Sequence, residues 1–363
     1  MSVLHADVLI LGAGPAGATA ALNLAPHHSV LMVDRTAAPA QHIGESLPPA
    51  ARRLLTDMGL WDDFLLQGHI RCHGIRSVWG GSAPAERDFL RDPDGPGWHL
   101  DRACFESWLR NKAAERGAAL LTCSTLASVA SFNGGWEVTL LTPAGLCQLH
   151  ASALIDAGGR SAMLSRRLGA RRSREGKLIC GWLYGRDQER AGDGLAHIEA
   201  AKHGWWYSAP LPGQRRVLAF HTDSDLPIAH AMRSTNWLID TARRLPVLGQ
   251  QLESVGFFTN TDMKFAAAHS AVSSPPAGPD WFAIGDAAVS FDPLSSQGLF
   301  NALYTGLAGS EACDRNLEGD ANAYNGYVGE LDRITDTYRR HLDSWYKENT
   351  CWPDSTFWQR RMG

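Results

Sequence analysis

At 363 residues with a formal net charge of −4, the chain is long enough to bury a large core and lacks the basic excess of a nucleic-acid groove. No apolar run approaches membrane-spanning length and the apolar N-terminus already reads as a first strand, so no signal peptide, no membrane partner and a cytoplasmic location are expected. Seven cysteines without CxxC or zinc spacing read as free thiols, and no metal site is expected.

In chain order, Ala6 to Leu11 has a strand pattern and is followed by Gly12-Ala13-Gly14-Pro15-Ala16-Gly17, a helix-compatible run Ala18 to Leu24, and a second strand Ser29 to Val33 that ends in Asp34. In that context Gly12 permits a tight turn, Gly14 lets backbone approach a pyrophosphate, Gly17 lets helix pack closely on strand, and Asp34 stands where a ribose 2′-OH is expected. The acid favours FAD or NAD over NADP, whose 2′-phosphate it would repel. Asp101 starts a helix, Arg102 to Arg116, closed by Gly117; Leu126 to Phe132 and Trp136 to Leu141 flank Asn133-Gly134-Gly135, a hairpin signal. The strand Ala151 to Ile155 leads into Asp156-Ala157-Gly158-Gly159-Arg160, a second turn that brings backbone close to a ligand.

Between about 170 and 279 the pattern becomes strand-rich and aromatic. Gly204 to Pro210 and Arg216 to His221 read as sheet, Thr235 to Arg244 and Val247 to Val255 as helices. A buried strand, Trp281 to Ile284, then presents Gly285 and Asp286, the latter placed to accept from a hydroxyl of a dinucleotide linker. Pro293 stiffens the next loop and Gly298 opens the helix Leu299 to Leu317, whose unpaired N–H groups suit an anionic reduced flavin. Two segments so far apart in the chain would have to close on one ligand, and the expected ligand is FAD. Asn322 to Lys347 reads as a helix, and the tail Trp352 to Trp358 is aromatic enough to dock on the body. The expected fold class is α/β: a Rossmann-like FAD-binding domain from residues 1–75, 98–165 and 280–318, intertwined with a β-sheet substrate domain from 76–97 and 166–279, and a helical C-terminus over 319–363.

These motifs, with GES at 44–46, Arg102, DAGGR at 156–160, GD at 285–286 and DPLSSQG at 292–298, resemble the flavoprotein monooxygenase and halogenase superfamily built on the p-hydroxybenzoate hydroxylase fold. GESLPPA at 44–50, GWWYSAP at 204–210 and WPDSTFW at 352–358 are similar to the flavin-dependent tryptophan halogenase branch, above all to its short LodB, GoxB and QhpG-type members that mature tryptophylquinone cofactors. With the resemblance, the residues assigned to FAD are Gly12, Gly14, Ala16, Gly17, Asp34, Arg35, Glu45, Ser46, Arg102, Leu126, Asp156, Gly158, Gly285, Asp286, Pro293 and Gly298.

The chain departs from the halogenase pattern at two chemical groups. No lysine stands between Glu45 and Lys112, where halogenases carry one that captures or guides hypohalous acid; Arg71 and Arg76 occupy that stretch, and arginine stays protonated. Ser295 stands where halogenases have a glutamate. Of their Trp-x-Trp-x-Ile-Pro segment only the outline survives, as Trp205-x-Tyr207-x-Ala209-Pro210. The expected activity is therefore that of an FAD-dependent monooxygenase acting on an aromatic group, an indole or phenol, through a C4a-hydroperoxyflavin. The resemblance points to a tryptophan borne on a protein or peptide, with O₂ and either NAD(P)H or a separate flavin reductase as partners. His42, Arg76 and Ser295 are candidates for catalysis, Trp205 and Tyr207 for the substrate wall, and residues 69–97 and 195–232 for an open cleft. The alternatives are a halogenase, an ene reductase and a non-catalytic maturation chaperone.

Overall fold

The computed structural model describes residues 3–189 and 194–362. Residues 190–193, inside the segment assigned to the substrate domain, lie outside it, as do 1–2 and 363 at the ends of the assigned segments. The strand Leu4–Leu11 lies between Val30–Val33 and the long strand Gly145–Asp156; Ala119–Leu121 extends one side and Trp281–Ala283 the other, all parallel. Val8 to Ile10 are fully buried, as a parallel strand covered on both faces requires. The hairpin Thr125–Phe132 and Gly135–Thr142 adds antiparallel to the first half of Gly145–Asp156. Its turn carries Asn133 at φ 46° and Gly134 at φ 79°, the two positive angles that a two-residue hairpin turn demands.

The fingerprint helix spans Pro15–Leu24, three residues earlier than the apolar run suggests, because Gly14 serves as its N-cap and Pro15 takes the first helical position where no N–H is needed. It packs on the late helix Gly298–Leu317. A Cβ at Gly306 would meet the Ala16 carbonyl oxygen at 2.8 Å, so that glycine sets how closely the two helices approach.

A second sheet of seven strands runs in the spatial order Lys264–Ala267, Leu178–Arg186, Arg215–Asp223, Gly204–Leu211, Leu195–Ala201, Gly74–Val78 and Ala85–Asp88. Only the pairing of Leu195–Ala201 with Gly74–Val78 is parallel. Strand alternation sends Trp205 to one face and Trp206 to the other. Trp206 packs with Leu218, Phe220, Leu238 and Leu248 under the helices Thr235–Arg243 and Leu248–Ser254. The long helix Ala323–Lys347 and the last helix Thr356–Met362 complete the chain. The aromatic tail docks as its composition suggests: Trp358 is fully buried and its Nε1 donates to the Ala201 carbonyl at 3.0 Å, while Arg360 and Arg361 both pair with buried Asp223.

Candidate active site

One cavity of about 660 Å³ runs between the two sheets, from the Gly14 turn to the Trp205 strand. At its first end, a Cβ on Gly12 (φ 105°) would lie 2.2 Å from the Ala157 carbonyl oxygen, and one on Gly17 would lie 1.9 Å from the carbonyl oxygen of Gly12. Those two glycines exist for packing. Gly14 is different: a Cβ there would meet nothing within 4 Å and would enter the cavity, beside the free N–H groups of the helix start. Asp34 is engaged by the protein itself. Its Oδ2 accepts from Ala13 N–H (2.9 Å) and Arg110 Nη2 (3.0 Å), its Oδ1 from Thr36 N–H (2.9 Å) and Thr36 Oγ1 (2.6 Å), which uses the usual lone-pair capacity of a carboxylate. Arg35, its neighbour, lines the cavity.

The helix Arg102–Glu115 supplies a charged stripe at four-residue spacing, Arg102, Glu106 and Arg110, on the face that also buries Phe105 and Leu109. Arg102 Nη1 donates to the Gly44 carbonyl at 2.5 Å, fixing a glycine at φ 107°, and Arg102 Nε donates to Glu106 at 3.1 Å. His42 Nε2 lies 3.1 Å from the same carboxylate. Burial alone would raise the Glu106 carboxyl, but His42 and Arg102 hold it at about 2. Glu45, 1% exposed, accepts from Tyr184 Oη (2.6 Å) and Gly44 N–H (3.0 Å); burial raises its carboxyl above the ordinary value.

On the opposite wall, Asp156 accepts from Gly158 N–H (2.9 Å) and from the N–H and Oγ of Ser165 (2.8 and 2.6 Å), so it holds the second turn, which presents Gly158 to Ser161 to the cavity. The Asp286 carboxylate, on the wall, lies 3.5 Å from Arg160 Nε. Next comes the late loop. Asp292 accepts from Leu294 N–H (2.9 Å) and Tyr346 Oη (2.8 Å) and donates its own N–H to Tyr338 Oη (2.7 Å); burial raises its carboxyl. Two tyrosines of the helix Ala323–Lys347 thus hold this loop, and Pro293, Ser296 and Gly298 line the cavity. Gly298, like Gly14, has nothing within 4 Å of a Cβ.

The far end is walled by Cys180, Ile198, Trp205, Tyr207, His221 and Ala266 to Ala268. Trp205 stacks on His221 with centroids 3.6 Å and planes 6° apart. Burial pushes the His221 imidazole down to about 3, so it is neutral. The Tyr207 hydroxyl is buried without a protein partner among the described residues.

Of the residues selected from sequence, the structure brings Gly14, Ala16, Arg35, His42, Glu45, Ser46, Arg102, Gly158, Trp205, Tyr207, Asp286, Pro293 and Gly298 around one cavity. Gly12, Gly17, Asp34, Asp156 and Gly285 stand behind it in the turns. Ser295 is also set back, its Oγ donating to the Asp292 carbonyl at 2.8 Å. Leu126 is buried in the core of the first sheet. Arg76 lies on the outer hairpin of the second sheet and pairs with Glu86 at 2.8 Å. No described residue of 69–97 lines the cavity, whereas Ile198, Trp205, Tyr207 and His221 do. Glu106, Arg110, Tyr184, His221 and Asp292 were not selected; the four-residue charge stripe from Arg102 was a readable signal for the first two.

These residues fit an FAD. Two glycine cradles at helix starts open on the same cavity, with a carboxylate between them and an apolar chamber beyond. Residues 5–185 match the FAD binding domain family. The chain is 28% identical over 367 residues to LodB of Marinomonas mediterranea, named as an FAD-dependent oxidoreductase, spanning 98% of this chain and 96% of that one. Other relatives are named as halogenases. Among solved structures, the myxobacterial chondrochloren halogenase CndH superposes with a TM-score of 0.90 at 23% identity, covering 99% of this chain and 86% of that chain. QhpG, described as a peptidyl tryptophan dihydroxylase essential for tryptophylquinone cofactor biogenesis, superposes with a TM-score of 0.77 at 21% identity over 99% and 79% of the two chains. The structural likenesses carry the fold.

Proposed function

We propose, from the match of residues 5–185 to the FAD binding domain family and the likeness over nearly the whole chain to an FAD-dependent oxidoreductase, that this chain is a flavin-dependent monooxygenase that hydroxylates the indole of a tryptophan borne on a protein or peptide. The observation that carries this reading is the character of the far chamber. It is continuous with the dinucleotide groove, and its described wall residues, Cys180, Ile198, Trp205, Tyr207, neutral His221 and Ala266 to Ala268, include no charged side chain. An aromatic ring suits such a wall, while the ammonium and carboxylate of a free amino acid find no partners there. Among the described residues no lysine lines the cavity, and Ser295 replaces the late-loop glutamate of halogenases, which favours oxygen over halide transfer.

Bound and reduced, FAD activates O₂ and supplies an electrophilic oxygen. The chain's own residues do the rest. The helix starts at Gly14 and Gly298 would offer backbone N–H groups to the pyrophosphate and to the pyrimidine edge of a bound FAD, and Asp286 would accept from a linker hydroxyl. Arg102 holds the Gly44 to Ser46 turn against the cavity. Ile198 and the Ala266 to Ala268 run exclude water from the reacting ring. The Tyr207 hydroxyl donates to an acceptor placed in the chamber. His42, half exposed on the cavity wall and oriented by Glu106, moves a proton between the cavity and solvent. Electrons come from NAD(P)H or from a separate reductase.

The test compares free tryptophan with peptide-borne tryptophan under identical reducing, aerobic conditions, read by mass spectrometry. The expected result is oxygen gained by the peptide, unaffected by added bromide. Efficient coupled oxidation of the free amino acid alone would sink the peptidyl reading, and a bromide-dependent product would return the chain to the halogenases.

A further inference from the structure

Trp205 connects to more than the cavity. Its Nε1 donates to Tyr346 Oη at 3.3 Å, and Tyr346 donates to Asp292 Oδ2 at 2.8 Å. Beyond Tyr346 the aromatic rings continue. Its centroid lies 6.1 Å from that of Trp79 and 6.2 Å from that of Trp358. Trp358 in turn stacks on Trp352 with centroids 5.9 Å and planes 21° apart. Trp205, Tyr346 and Trp358 are buried; Trp79 and Trp352 reach solvent. The path therefore starts on the cavity wall, passes through one tyrosine and reaches two surface tryptophans, Trp79 directly or through Trp358, whose ring centroid lies 5.3 Å from its own, and Trp352 through Trp358.

Indole and phenol are among the side chains most readily oxidised by one electron, and transfer between rings in near contact outruns most chemistry. A tyrosine gives up its electron readily only if its phenolic proton has somewhere to go, and Asp292 stands in hydrogen-bond contact to take it. Burial raises the Asp292 carboxyl, which makes it a better base. The Arg361 guanidinium lies over the Tyr346 ring at 5.1 Å, which disfavours a cation on that ring and leaves the neutral, proton-shed form as the one that fits.

We propose that Trp205, Tyr346 and Trp358 carry one-electron oxidations from the cavity wall to Trp352 and Trp79 at the surface, so that stray oxidising equivalents leave the site instead of destroying it. A one-electron oxidant in the cavity, for which photoexcited FAD is the practical case, gains an electron as Trp205 loses one. Tyr346 restores Trp205 while its phenolic proton passes to Asp292. Trp358 or Trp79 restores Tyr346, and the proton returns from Asp292. Trp352 restores Trp358, and a reductant in solution such as ascorbate restores the surface ring. The net change is one electron from ascorbate to the oxidant. The path depends on FAD occupying the cavity and is independent of which substrate is hydroxylated.

The test illuminates FAD-loaded protein with blue light in air and maps oxidised tryptophans by peptide mass spectrometry, with and without ascorbate. Trp352 and Trp79 should be oxidised well above Trp136, a half-buried tryptophan on the other sheet that is off the path, and ascorbate should suppress this. Tyr346→Phe should abolish the excess at both surface positions. Trp358→Phe should abolish it at Trp352 and leave it at Trp79, which contacts Tyr346 directly. Equal oxidation of Trp136 and Trp352 in the wild-type protein would mean a diffusing oxidant and overturn the proposal, as would undiminished Trp352 oxidation in Trp358→Phe. The wild-type comparison decides even if a variant fails to fold.

Discussion

Glu106 shows how much one side chain can settle at this site. It is buried, it accepts from Arg102, and it is held at about 2 against an ordinary value of 4.5. A carboxyl depressed in the folded state stabilises fully above its unfolded value and loses that contribution as pH falls through the folded value. Glu106→Gln should therefore cost on the order of 3 kcal/mol at pH 7. Denaturant melts of wild type and variant should converge as pH drops from 4.5 toward 2, and a gap unchanged over that window would show that the charge is not what holds the helix to the Gly44 turn. The sequence offered Arg102 because it opens a helix, and Glu106 was one turn away on the same face. Tyr184 and Tyr346 had no such signal, since their carboxylate partners, Glu45 and Asp292, lie 139 and 54 residues away in the chain. Only the folded sheets bring them together. Arg76 failed in the opposite way: chosen for standing in the stretch where a halogenase lysine would, it lies on an outer hairpin, paired with Glu86.

At the level of elements, the two glycine classes in the first turn separate packing from ligand approach. Gly17→Ala pushes a methyl group to 1.9 Å from the Gly12 carbonyl oxygen, so the helix must move off the strand. Gly14→Ala meets no protein atom within 4 Å. The expected outcome is that Gly17→Ala lowers the melting temperature of the FAD-free protein, whereas Gly14→Ala leaves that temperature in place and weakens FAD retention, measured by flavin fluorescence on titration. If both variants unfold alike, the assignment of Gly14 to the cofactor fails. Asp286→Ala should join the second class, because its carboxylate faces the cavity. The strand, turn, helix and second strand around these glycines were readable because each uses local rules. The seven-stranded sheet was readable only as a strand-rich stretch: its Gly74–Val78 strand is short and pairs with a strand more than a hundred residues away, so local pattern carries no trace of the partner.

Across the whole molecule, stability should depend steeply on mild acid. Burial holds His69 and His99 at about 4 and His221 at about 3, so the folded protein keeps them neutral where the unfolded chain binds three protons. The stability that these neutral histidines contribute is complete above 6.5 and falls as pH drops toward those values, by up to about 4 kcal/mol per pH unit. The raised carboxyls of Glu45 and Asp292 work in the opposite direction and soften the slope. Urea melts at pH 7, 6 and 5 should show the decline, and His99→Gln should reduce it by about 1.4 kcal/mol per unit. An unchanged slope would place the acid sensitivity elsewhere.

The order in which strands join the two sheets has a consequence for synthesis. The first sheet waits for Trp281–Ala283, and the second cannot link its Gly74–Val78 edge until Leu195–Ala201 has been made. The cavity draws its wall from Gly14 through Ala302. A growing chain therefore exposes apolar strands such as Val8 to Leu11 for most of its translation, with no cofactor site to close around them, and it is during that interval that chaperones have the most to do. Ribosome-stalled chains ending at residue 260 should hold no FAD and should be digested rapidly by protease, while chains that expose everything through residue 347 should capture the flavin while still attached.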